Sequence, residues 1–375
     1  MKHVQKVIRG RGKIRDTGKL AEALNMRRPM IVGLEPLSGV FLRGNPDYAD
    51  RPVFSAFHAN PDLSDAAAGA ESFRENGCDS LISVGGGSSI DTAKAIKALL
   101  QDPAEKAALN MLTDGTDLPH IAIPGTAGTG SEATQFAVVY AEGRKVSLDH
   151  EKLLPDGVIL DASLLDTLPD YHKKACALDA LCHGIESYWS RASSNDSRVH
   201  AFLAILGVLD NLKAYLAGDP HAAEEMLDAS YQGGKAIQMT RTTAAHAMSY
   251  QLTKHFGIAH GHACMITLPA LWELMEEDEN LNEVLTDLSA KMRLGSALIP
   301  PRMFRGMLSA LQLGIPEKPD AATLQMLVDT VNPQRLGNHP MTLTPEQIRN
   351  VYLKSMTPMT DMEKQMCTDL WQYYT

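Results

Sequence analysis

Ser80-Leu-Ile-Ser-Val-Gly-Gly-Gly-Ser-Ser-Ile-Asp91 is the stretch that decides the fold of the first half of this chain. Its first five residues predict a short buried strand, and the three glycines predict a tight turn into a helix over 92–100. Free N–H groups at such a helix start let a bulky anion come close, because glycine places no side chain in the way. Taken alone, a glycine turn chosen for tight packing explains the stretch equally well.

Strands alternating with helices are predicted on both sides of this stretch. Strands are predicted over 29–33, 51–57 and 120–124, with helices over 19–25 and 65–76. The last of these strands ends in a second turn, Gly125-Thr-Ala-Gly-Thr-Gly-Ser131. The alternation predicts a Rossmann-like α/β domain with a parallel sheet, in which both turns emerge at the carboxyl edge where ligands bind. Two such turns favour a pyrophosphate with its flanking nucleotides, and therefore a dinucleotide.

The chain has 375 residues, which exceeds the size at which single cores stop growing and predicts two domains. We place a dinucleotide-binding α/β domain at 1–162. Beyond it, long stretches rich in Ala, Leu and Met predict an all-α domain at 163–375 that carries the metal and substrate sites.

Histidines and one aspartate in the second half predict a metal centre. Asp179 and His183 stand four residues apart and so share one face of a helix, while His246, His260 and His262 lie within one short stretch. A carboxylate with three imidazoles suits Fe(II) or Zn(II) better than Ca(II) or Mg(II). Cysteine is absent from this set, which argues against a closed structural zinc site. Cys182 and Cys264 are interpreted as packing residues.

Bulk charge and cysteine usage narrow the class of protein. The net charge of −10 disfavours nucleic acid as a partner. Five cysteines without a CxxC pair predict neither a disulfide framework nor a redox motif. No apolar stretch is expected to be long enough to span a membrane, so the prediction is a cytoplasmic protein with no membrane partner.

With these motifs in hand, the chain resembles the iron-containing (group III) alcohol dehydrogenase family over nearly its whole length. The resemblance is carried by five segments: Ser83–Lys94, Ile123–Glu132, Leu154–Asp161, Asp179–Glu186 and Ile258–His262. It implies the architecture shared with dehydroquinate synthase: an N-terminal dinucleotide domain, a helical metal domain and a cleft between them. It also implies NAD(P)H and Fe(II), or Zn(II), as cofactors.

The resemblance also assigns roles to single residues. It implies the metal ligands Asp179, His183, His246 and His260, and cofactor contacts from Gly86, Gly87, Ser88, Asp91, Thr126, Thr129 and Lys145. Each ligand taken alone would be interpreted as a core histidine or a capping aspartate, and a loop lysine is most often solvated.

Three departures from the family pattern bear on function. Gly125-Thr126 stands where the family commonly has two threonines, which removes one hydroxyl contact to the cofactor. Leu34 stands where many members carry the aspartate that binds the adenosine ribose, which removes repulsion against a 2′-phosphate and makes NADPH acceptable; Glu35 is the alternative ribose contact. Tyr250 replaces a histidine proposed to relay protons, so the relay runs through His262 or through water, unless His262 is only a packing residue beside the metal.

A narrower resemblance concerns the substrate. Met239–Tyr250 and Asn338–Thr342 resemble the phosphonoacetaldehyde reductases (2-hydroxyethylphosphonate dehydrogenases) within this family. A doubly charged phosphonate needs cationic partners, and Arg241 is the nearest candidate, because arginine binds such groups with a two-pronged fork. The alternative interpretation of Arg241 is a surface helix arginine.

Together these observations predict hydride transfer between a nicotinamide and a small aldehyde or primary alcohol, with phosphonoacetaldehyde as the best candidate. Alternatives are a dehydrogenase for another small alcohol such as a diol, a dehydroquinate synthase-like lyase that recycles its NAD, and a non-catalytic protein stabilised by metal. Family members often form homo-oligomers, so the expected partners are a small-molecule substrate and further copies of the chain.

Overall fold

The computed structural model describes residues 4–112 and 117–374. The chain divides into two compact units, Met1–Leu168 with Gly218–Gly234, and Pro169–Ala217 with Lys235–Thr375. The first segment of the first unit ends at Leu168, six residues beyond the boundary predicted at 162. The stretch 218–234, which was placed in the second domain, groups with the first unit.

The first unit is built on a six-stranded parallel sheet. Its strands are β1 Lys6–Arg9, β2 Pro29–Val32, β3 Val53–Phe54, β4 Ser80–Gly85, β5 His120–Pro124 and β8 Gly157–Leu160, in the order β1-β8-β5-β4-β2-β3. Its helices are α1 Thr17–Ala23, α2 Leu37–Gly44, α3 Leu63–Glu75, α4 Gly87–Leu99 and α5 Ala104–Ala108. A hairpin of β6 Phe136–Ala141 and β7 Arg144–Asp149 stands apart from the sheet. The predicted α/β fold with a parallel sheet is confirmed.

Both faces of this sheet are covered, which explains why its central strands read as unbroken apolar runs. In β2, Met30 and Val32 pack into a cluster with Ala66 of α3 and Ile96 of α4. The intervening Ile31 points to the other face and joins a second cluster that contains residues of α1 and α2. Alternate side chains of one strand therefore enter two separate cores.

Some predicted elements have different bounds in the structure. The strand predicted over 51–57 is paired only at Val53–Phe54. The helix after the first glycine turn begins at Gly87, not at Thr92, so most of the predicted turn is helical. The β6–β7 hairpin was not predicted, although Glu142 and Gly143 both have positive φ (50° and 73°), as a tight two-residue hairpin turn requires.

The second unit is helical, as predicted. Its helices are α6 Asp170–Trp189, α7 Asn195–Leu216, α9 Ala244–Phe256, α10 His260–Met275, α11 Asn282–Lys291, α12 Pro300–Ala310, α13 Ala321–Asp329, α14 Pro333–Gly337, α15 Pro345–Ser355 and α16 Asp361–Tyr374. Helix α8, Pro220–Thr240, begins in the first unit and ends in the second.

Helix α7 corrects the expectation that no apolar stretch is long enough to span a membrane. By length and composition alone it could cross a membrane, since an 18-residue window has a mean hydropathy of 1.4, and 39% of that window is buried. Its buried residues, among them Ala201, Ile205, Val208 and Leu212, recur every three or four positions. That spacing is typical of a helix with one face in a protein core. Asp210, on the same helix, forms a two-pronged ion pair with Arg293.

Candidate metal centre and cofactor turns

Helix α6 brings the first two predicted metal ligands together. Asp179 and His183 are buried and lie one turn apart, so their side chains share a face. Oδ1 of Asp179 is 3.8 Å from Nε2 of His183. Oδ1 of Asp179 also lies 3.3 Å from Nε2 of His246 on α9, which joins the two helices at this point.

The second pair of predicted ligands comes from α9 and α10. The ring of His246 stacks on that of His183, with centroids 4.6 Å apart, and lies 5.1 Å from the ring of His260. Gly261 allows this approach, because a Cβ at that position would overlap the carbonyl oxygen of Ala175 and lie 2.5 Å from Cβ of Asp179. The start of α10 therefore rests directly on α6, where no larger residue fits.

Four ligand atoms in this cluster lie within 4.8 Å of one another: those of Asp179, His246, His260 and Cys264. Cys264 is part of the set, with Sγ 3.9 Å from Nε2 of His260. The interpretation of Cys264 as a packing residue is therefore incomplete. Cys264 lies four positions after His260 and therefore shares its helix face.

The donor chemistry fits a divalent cation of the iron or zinc type. Oδ1 of Asp179 and Nε2 of His246 are buried and make no hydrogen bond of normal geometry among the described residues. Burial alone would raise the pKa of Asp179, but the neighbouring imidazoles of His183 and His260 override it and hold the pKa far below its usual value. A buried carboxylate oxygen and a buried ring nitrogen that make no such hydrogen bond are a costly arrangement without a cation.

A second buried carboxylate supports this cluster. Glu186, seven residues after Asp179 on α6, accepts a hydrogen bond from Nδ1 of His246. Its Oε1 accepts hydrogen bonds from the backbone N–H groups of Thr243 (3.1 Å) and Ala245 (2.9 Å) at the start of α9. Glu186 thus holds both the ring of His246 and the helix that carries it.

In the first unit, the two predicted cofactor turns face each other. Gly85 and Pro124 are register partners in β4 and β5, and the N–H of Gly125 donates to the carbonyl of Gly85 at 2.8 Å. A Cβ at Gly86 would lie 3.2 Å from Cγ2 of Thr126, and one at Gly87 would lie 2.9 Å from Cγ2 of Thr129 (both threonines were predicted to contact the cofactor).

The glycine at 125, one of the departures from the family pattern, has a packing reason. A Cβ there would collide with the side chain of Leu37 at the start of α2 and lie 3.3 Å from Cα of Gly85. Leu37 therefore fills the space that a side chain at position 125 would need.

The remaining predicted cofactor residues are engaged within the protein. The hydroxyl of Ser88 donates to the carbonyl of Ala59. The carboxylate of Asp91 accepts hydrogen bonds from the Ser131 hydroxyl and, at 2.9 Å, from the Val138 N–H. Burial raises the pKa of Asp91, against the positive charges of Lys94 and Lys145. Asp91 therefore ties α4 to the second turn and to β6.

Lys94, for which the sequence predicted no role, contacts the segment that follows the second turn. It is fully buried and its ammonium group donates to the carbonyl oxygens of Ser131 (2.6 Å) and Phe136 (2.9 Å) and to the hydroxyl of Thr134 (3.1 Å). Burial lowers its pKa to about 8. The residue holds the segment after the second turn in place.

Leu34, which stands at the position predicted to lie near the ribose, follows β2. The carboxylate of Glu35 and the guanidinium of Arg43 both lie about 3 Å from the point where a Cβ of Gly39 would stand (2.7 and 3.2 Å). Glu35 is therefore beside a cation on α2, and the two groups together offer both an acceptor for a hydroxyl and a charge for a phosphate.

The two residues considered for the proton relay, Tyr250 and His262, contact different neighbours. The ring of Tyr250 stacks on His260, with centroids 5.8 Å apart and planes within 16° of parallel. Nδ1 of His262 lies 3.2 Å from the hydroxyl of Tyr171, which also accepts the N–H of Ala259 at 2.8 Å. Burial lowers the pKa of His262.

Arg241, the proposed substrate residue, is half-buried. It follows the last residue of α8, has a left-handed backbone (φ 62°), and donates from Nη1 to the carbonyl of Gln238 at 2.6 Å. The residue therefore belongs to the short connection between α8 and α9, three residues ahead of the helix that carries His246.

Comparison with known families matches both halves of the chain. Residues 4–162 match the family model described as "Iron-containing alcohol dehydrogenase", and residues 174–299 match the one described as "Fe-containing alcohol dehydrogenase family, C-terminal". The chain belongs to the iron-containing alcohol dehydrogenase family. The resemblance identified from the sequence motifs is thereby confirmed.

Individual relatives of this alcohol dehydrogenase family member span different shares of the chain. It is 37% identical over 221 residues to a probable alcohol dehydrogenase, EutG, of Escherichia coli (strain K12), covering 57% of this chain and 55% of that protein. It is 34% identical over 228 residues to the phosphonoacetaldehyde reductase of Streptomyces viridochromogenes, covering 57% and 58%. The chain thus aligns with little more than half the length of these relatives.

Similarity in structure extends further than similarity in sequence. The crystal structure of sulfoacetaldehyde reductase from Bifidobacterium kashiwanohense in complex with NAD+ superposes with a TM-score of 0.86 at 26% identity, covering 94% of this chain and 97% of that one. The architecture of the alcohol dehydrogenase family therefore extends through nearly the whole chain.

Two residues of the site were missed in the sequence, and both carried a signal. Glu186 lies at i+7 from Asp179 and Cys264 at i+4 from His260, so each shares a helix face with a predicted ligand. Helical spacing thus places both residues on the ligand faces of their helices, but it does not reveal the contacts that they make.

Proposed function

We propose that this protein is a metal-dependent, NAD(P)-linked enzyme that interconverts a small aldehyde and its primary alcohol. One observation carries the proposal: Oδ1 of Asp179 and Nε2 of His246 are buried 3.3 Å apart inside a cluster of imidazoles, and neither makes a hydrogen bond of normal geometry within the described part of the chain. Family membership supports the same chemistry.

The metal would be held by Asp179, His183, His246 and His260, with Fe(II) as the first candidate and Zn(II) as the second. A divalent cation in this position supplies Lewis acidity, which stabilises negative charge on a substrate oxygen. Asp179 offsets part of the cation's charge, and Glu186 fixes the proton of His246 on Nδ1, so that Nε2 keeps a free lone pair for the cation.

The cofactor would be held by the two glycine turns of the first unit. The N-terminus of α4 presents unbonded backbone N–H groups and the positive end of the helix dipole to a pyrophosphate. Gly86 and Gly87 keep this approach open, with Thr126 and Thr129 beside them. Bound NAD(P)H supplies a hydride and, with one proton, converts aldehyde to alcohol.

For the substrate we propose phosphonoacetaldehyde, reduced to 2-hydroxyethylphosphonate. One relative is named a phosphonoacetaldehyde reductase and one similar structure a sulfoacetaldehyde reductase. Both names denote two-carbon aldehydes that carry an anionic group, a phosphonate or a sulfonate. Arg241, three residues ahead of α9, is the proposed partner of that anion. A dehydrogenase for another small alcohol, such as a diol, is the alternative.

Three further predictions accompany this proposal. The protein acts in the cytoplasm, its partner besides further copies of itself is a small molecule, and it forms a homo-oligomer. The lyase alternative is not favoured, because both matching family models describe alcohol dehydrogenases.

The test is a panel of phosphonoacetaldehyde, sulfoacetaldehyde, glycolaldehyde and propionaldehyde, assayed with NADH and NADPH on protein loaded with Fe(II) or Zn(II). We expect net cofactor oxidation with the highest kcat/KM for phosphonoacetaldehyde. His260→Ala should abolish both metal content and turnover, while His255→Ala, an exposed histidine near the end of α9, should change neither. Full activity in His260→Ala would rule out the proposed site.

A further inference from the structure

The thiol of Cys264 lies in the metal centre itself. Cys264 is completely buried on α10, one helical turn after His260, and its Sγ is 3.9 Å from Nε2 of His260. Its sulfur, the carboxylate of Asp179 and the ring nitrogens of His246 and His260 all lie within 4.8 Å of one another. No other buried cysteine of the described residues belongs to this set.

These separations allow the sulfur and the nitrogens to bind one ion. Zinc binds cysteine sulfur at ~2.3 Å and histidine nitrogen at ~2.0–2.1 Å, so two such donors of one ion lie at most ~4.4 Å apart. In a tetrahedral arrangement the same bond lengths place sulfur and nitrogen about 3.6 Å apart. The 3.9 Å between Sγ of Cys264 and Nε2 of His260 falls between these two values.

An independent feature points to a ligand at the same place. Asp179 and His246 are at least nine-tenths buried, and among the described residues neither Oδ1 of Asp179 nor Nε2 of His246, which lie 3.3 Å apart, makes a hydrogen bond of normal geometry. Both residues belong to the set that contains Cys264. Buried polar atoms in proteins almost always have partners. A cation that accepts lone pairs from both atoms would satisfy them, and the sulfur lies within reach of that same cation.

Cys182 provides a contrast within the chain. It is also completely buried, and it lies on α6 between Asp179 and His183. Its sulfur is not a member of the four-atom set, although Cys182 stands three positions after Asp179 and one before His183. Burial near the ligands is therefore common to both cysteines, but of the two only Cys264 has its sulfur in the four-atom set.

We propose that Cys264 supplies a thiolate sulfur to the metal ion of this chain, in addition to the nitrogen and oxygen donors. The inference rests on the metal ion of the proposed function. Binding of the cation displaces the S–H proton, which leaves to solvent, and no electrons are transferred. A soft sulfur donor shifts the preference of the site from Fe(II) towards Zn(II).

X-ray absorption at the zinc edge tests this on the full chain loaded with one equivalent of Zn(II). We expect one sulfur at ~2.3 Å in the wild-type protein and in Cys182→Ser, and only nitrogen and oxygen at ~2.0–2.2 Å in Cys264→Ser. A wild-type spectrum without sulfur overturns the proposal. Because the wild-type spectrum decides this alone, the result does not depend on whether Cys264→Ser folds.

Competition between the two metals gives a second readout. The ratio of bound zinc to bound iron, measured at equal free concentrations, should fall at least tenfold in Cys264→Ser and stay unchanged in Cys182→Ser. An unchanged ratio in Cys264→Ser contradicts the proposal. Wild-type protein that reduces aldehydes with zinc in a sulfur-free shell overturns this inference alone, whereas wild-type protein that binds neither metal overturns the proposed function as well.

Discussion

Glu186 accepts a hydrogen bond from Nδ1 of His246, and this contact orients the ring of His246 within the candidate metal centre. Since an ionised carboxylate only accepts, Nδ1 of His246 carries a proton, and Nε2 is the nitrogen left to face Asp179. Burial would raise the pKa of Glu186, but the charge of His246 and the hydrogen bonds to Glu186 hold it below its usual value. The carboxylate therefore stays ionised inside the core.

Glu186→Gln should weaken metal binding by about 10- to 100-fold, because carboxylates that orient ligating histidines contribute about this much. The amide keeps one oxygen for the N–H groups of Thr243 and Ala245, so the start of α9 stays capped and the fold is retained. Competition of the protein with a chromophoric zinc chelator measures the change.

The matched control is Glu277→Gln, an exposed glutamate just beyond α10, which should leave the zinc affinity unchanged. Equal affinity of Glu186→Gln and wild type would show that the carboxylate only caps α9. The circular dichroism of both variants should match the wild type.

Much of the first unit could be predicted from the sequence, because its central strands have a clear sequence pattern. Ser80–Val84 and His120–Pro124 are buried on both faces and read as short apolar runs closed by glycine turns. β1 was missed because Lys6 and Arg9 put charges at both of its ends, as is usual for a strand at the edge of a sheet. The β6–β7 hairpin was missed because its two faces alternate weakly in polarity.

The metal centre could be predicted only in part. Asp179 and His183 follow from helical spacing, and the resemblance to a known family selected His246 and His260 among three histidines. The hydrogen bond between Glu186 and His246 joins residues 60 positions apart, so the chain had to be folded before it could be found. Periodicity within single helices does not report such contacts between helices.

Gly87→Ala should weaken binding of NADH or NADPH at least about tenfold, or ~1.4 kcal/mol. A Cβ there would lie 2.9 Å from Cγ2 and 3.2 Å from Oγ1 of Thr129, so the second turn must move away from the first. Titration of the fluorescence of the reduced nicotinamide measures the dissociation constant. Gly18→Ala, in α1 with open space around it, is the control and should not change it.

Glu132→Gln should make the protein more stable at pH 8. Glu132 is buried, its Oε1 makes no hydrogen bond among the described residues, and burial raises its pKa to about 7 from an ordinary value of 4.5. Between pH 4.5 and 7 the folded state therefore holds more protons than the unfolded state, so stability falls as the pH rises through this interval. The amide carries no charge and removes that loss, which is on the order of 1–3 kcal/mol.

Urea unfolding at pH 4 and pH 8 checks this prediction. The gain of Glu132→Gln over the wild type should be present at pH 8 and largely absent at pH 4, where the carboxyl of Glu132 is protonated in both states. Glu71→Gln, at an exposed position of α3, should show no such difference. A gain of equal size at both pH values would indicate a packing effect and not a buried charge.

The two candidate relay residues can be separated by matched variants. If His262 carries the proton, His262→Asn should lower kcat by about 10²-fold and enlarge the solvent isotope effect, with metal content and KM for the cofactor unchanged. Tyr171→Phe removes the hydroxyl that lies 3.2 Å from Nδ1 of His262. It should lower kcat and enlarge the solvent isotope effect, both by less than His262→Asn does.

Tyr250→Phe keeps the stacking on His260, and its kcat should stay within about twofold of the wild type, since a phenol with a pKa of about 10 is a poor proton donor at neutral pH. A large loss in Tyr250→Phe with wild-type behaviour of His262→Asn would reverse the assignment, and unchanged rates in all three would leave water as the proton carrier.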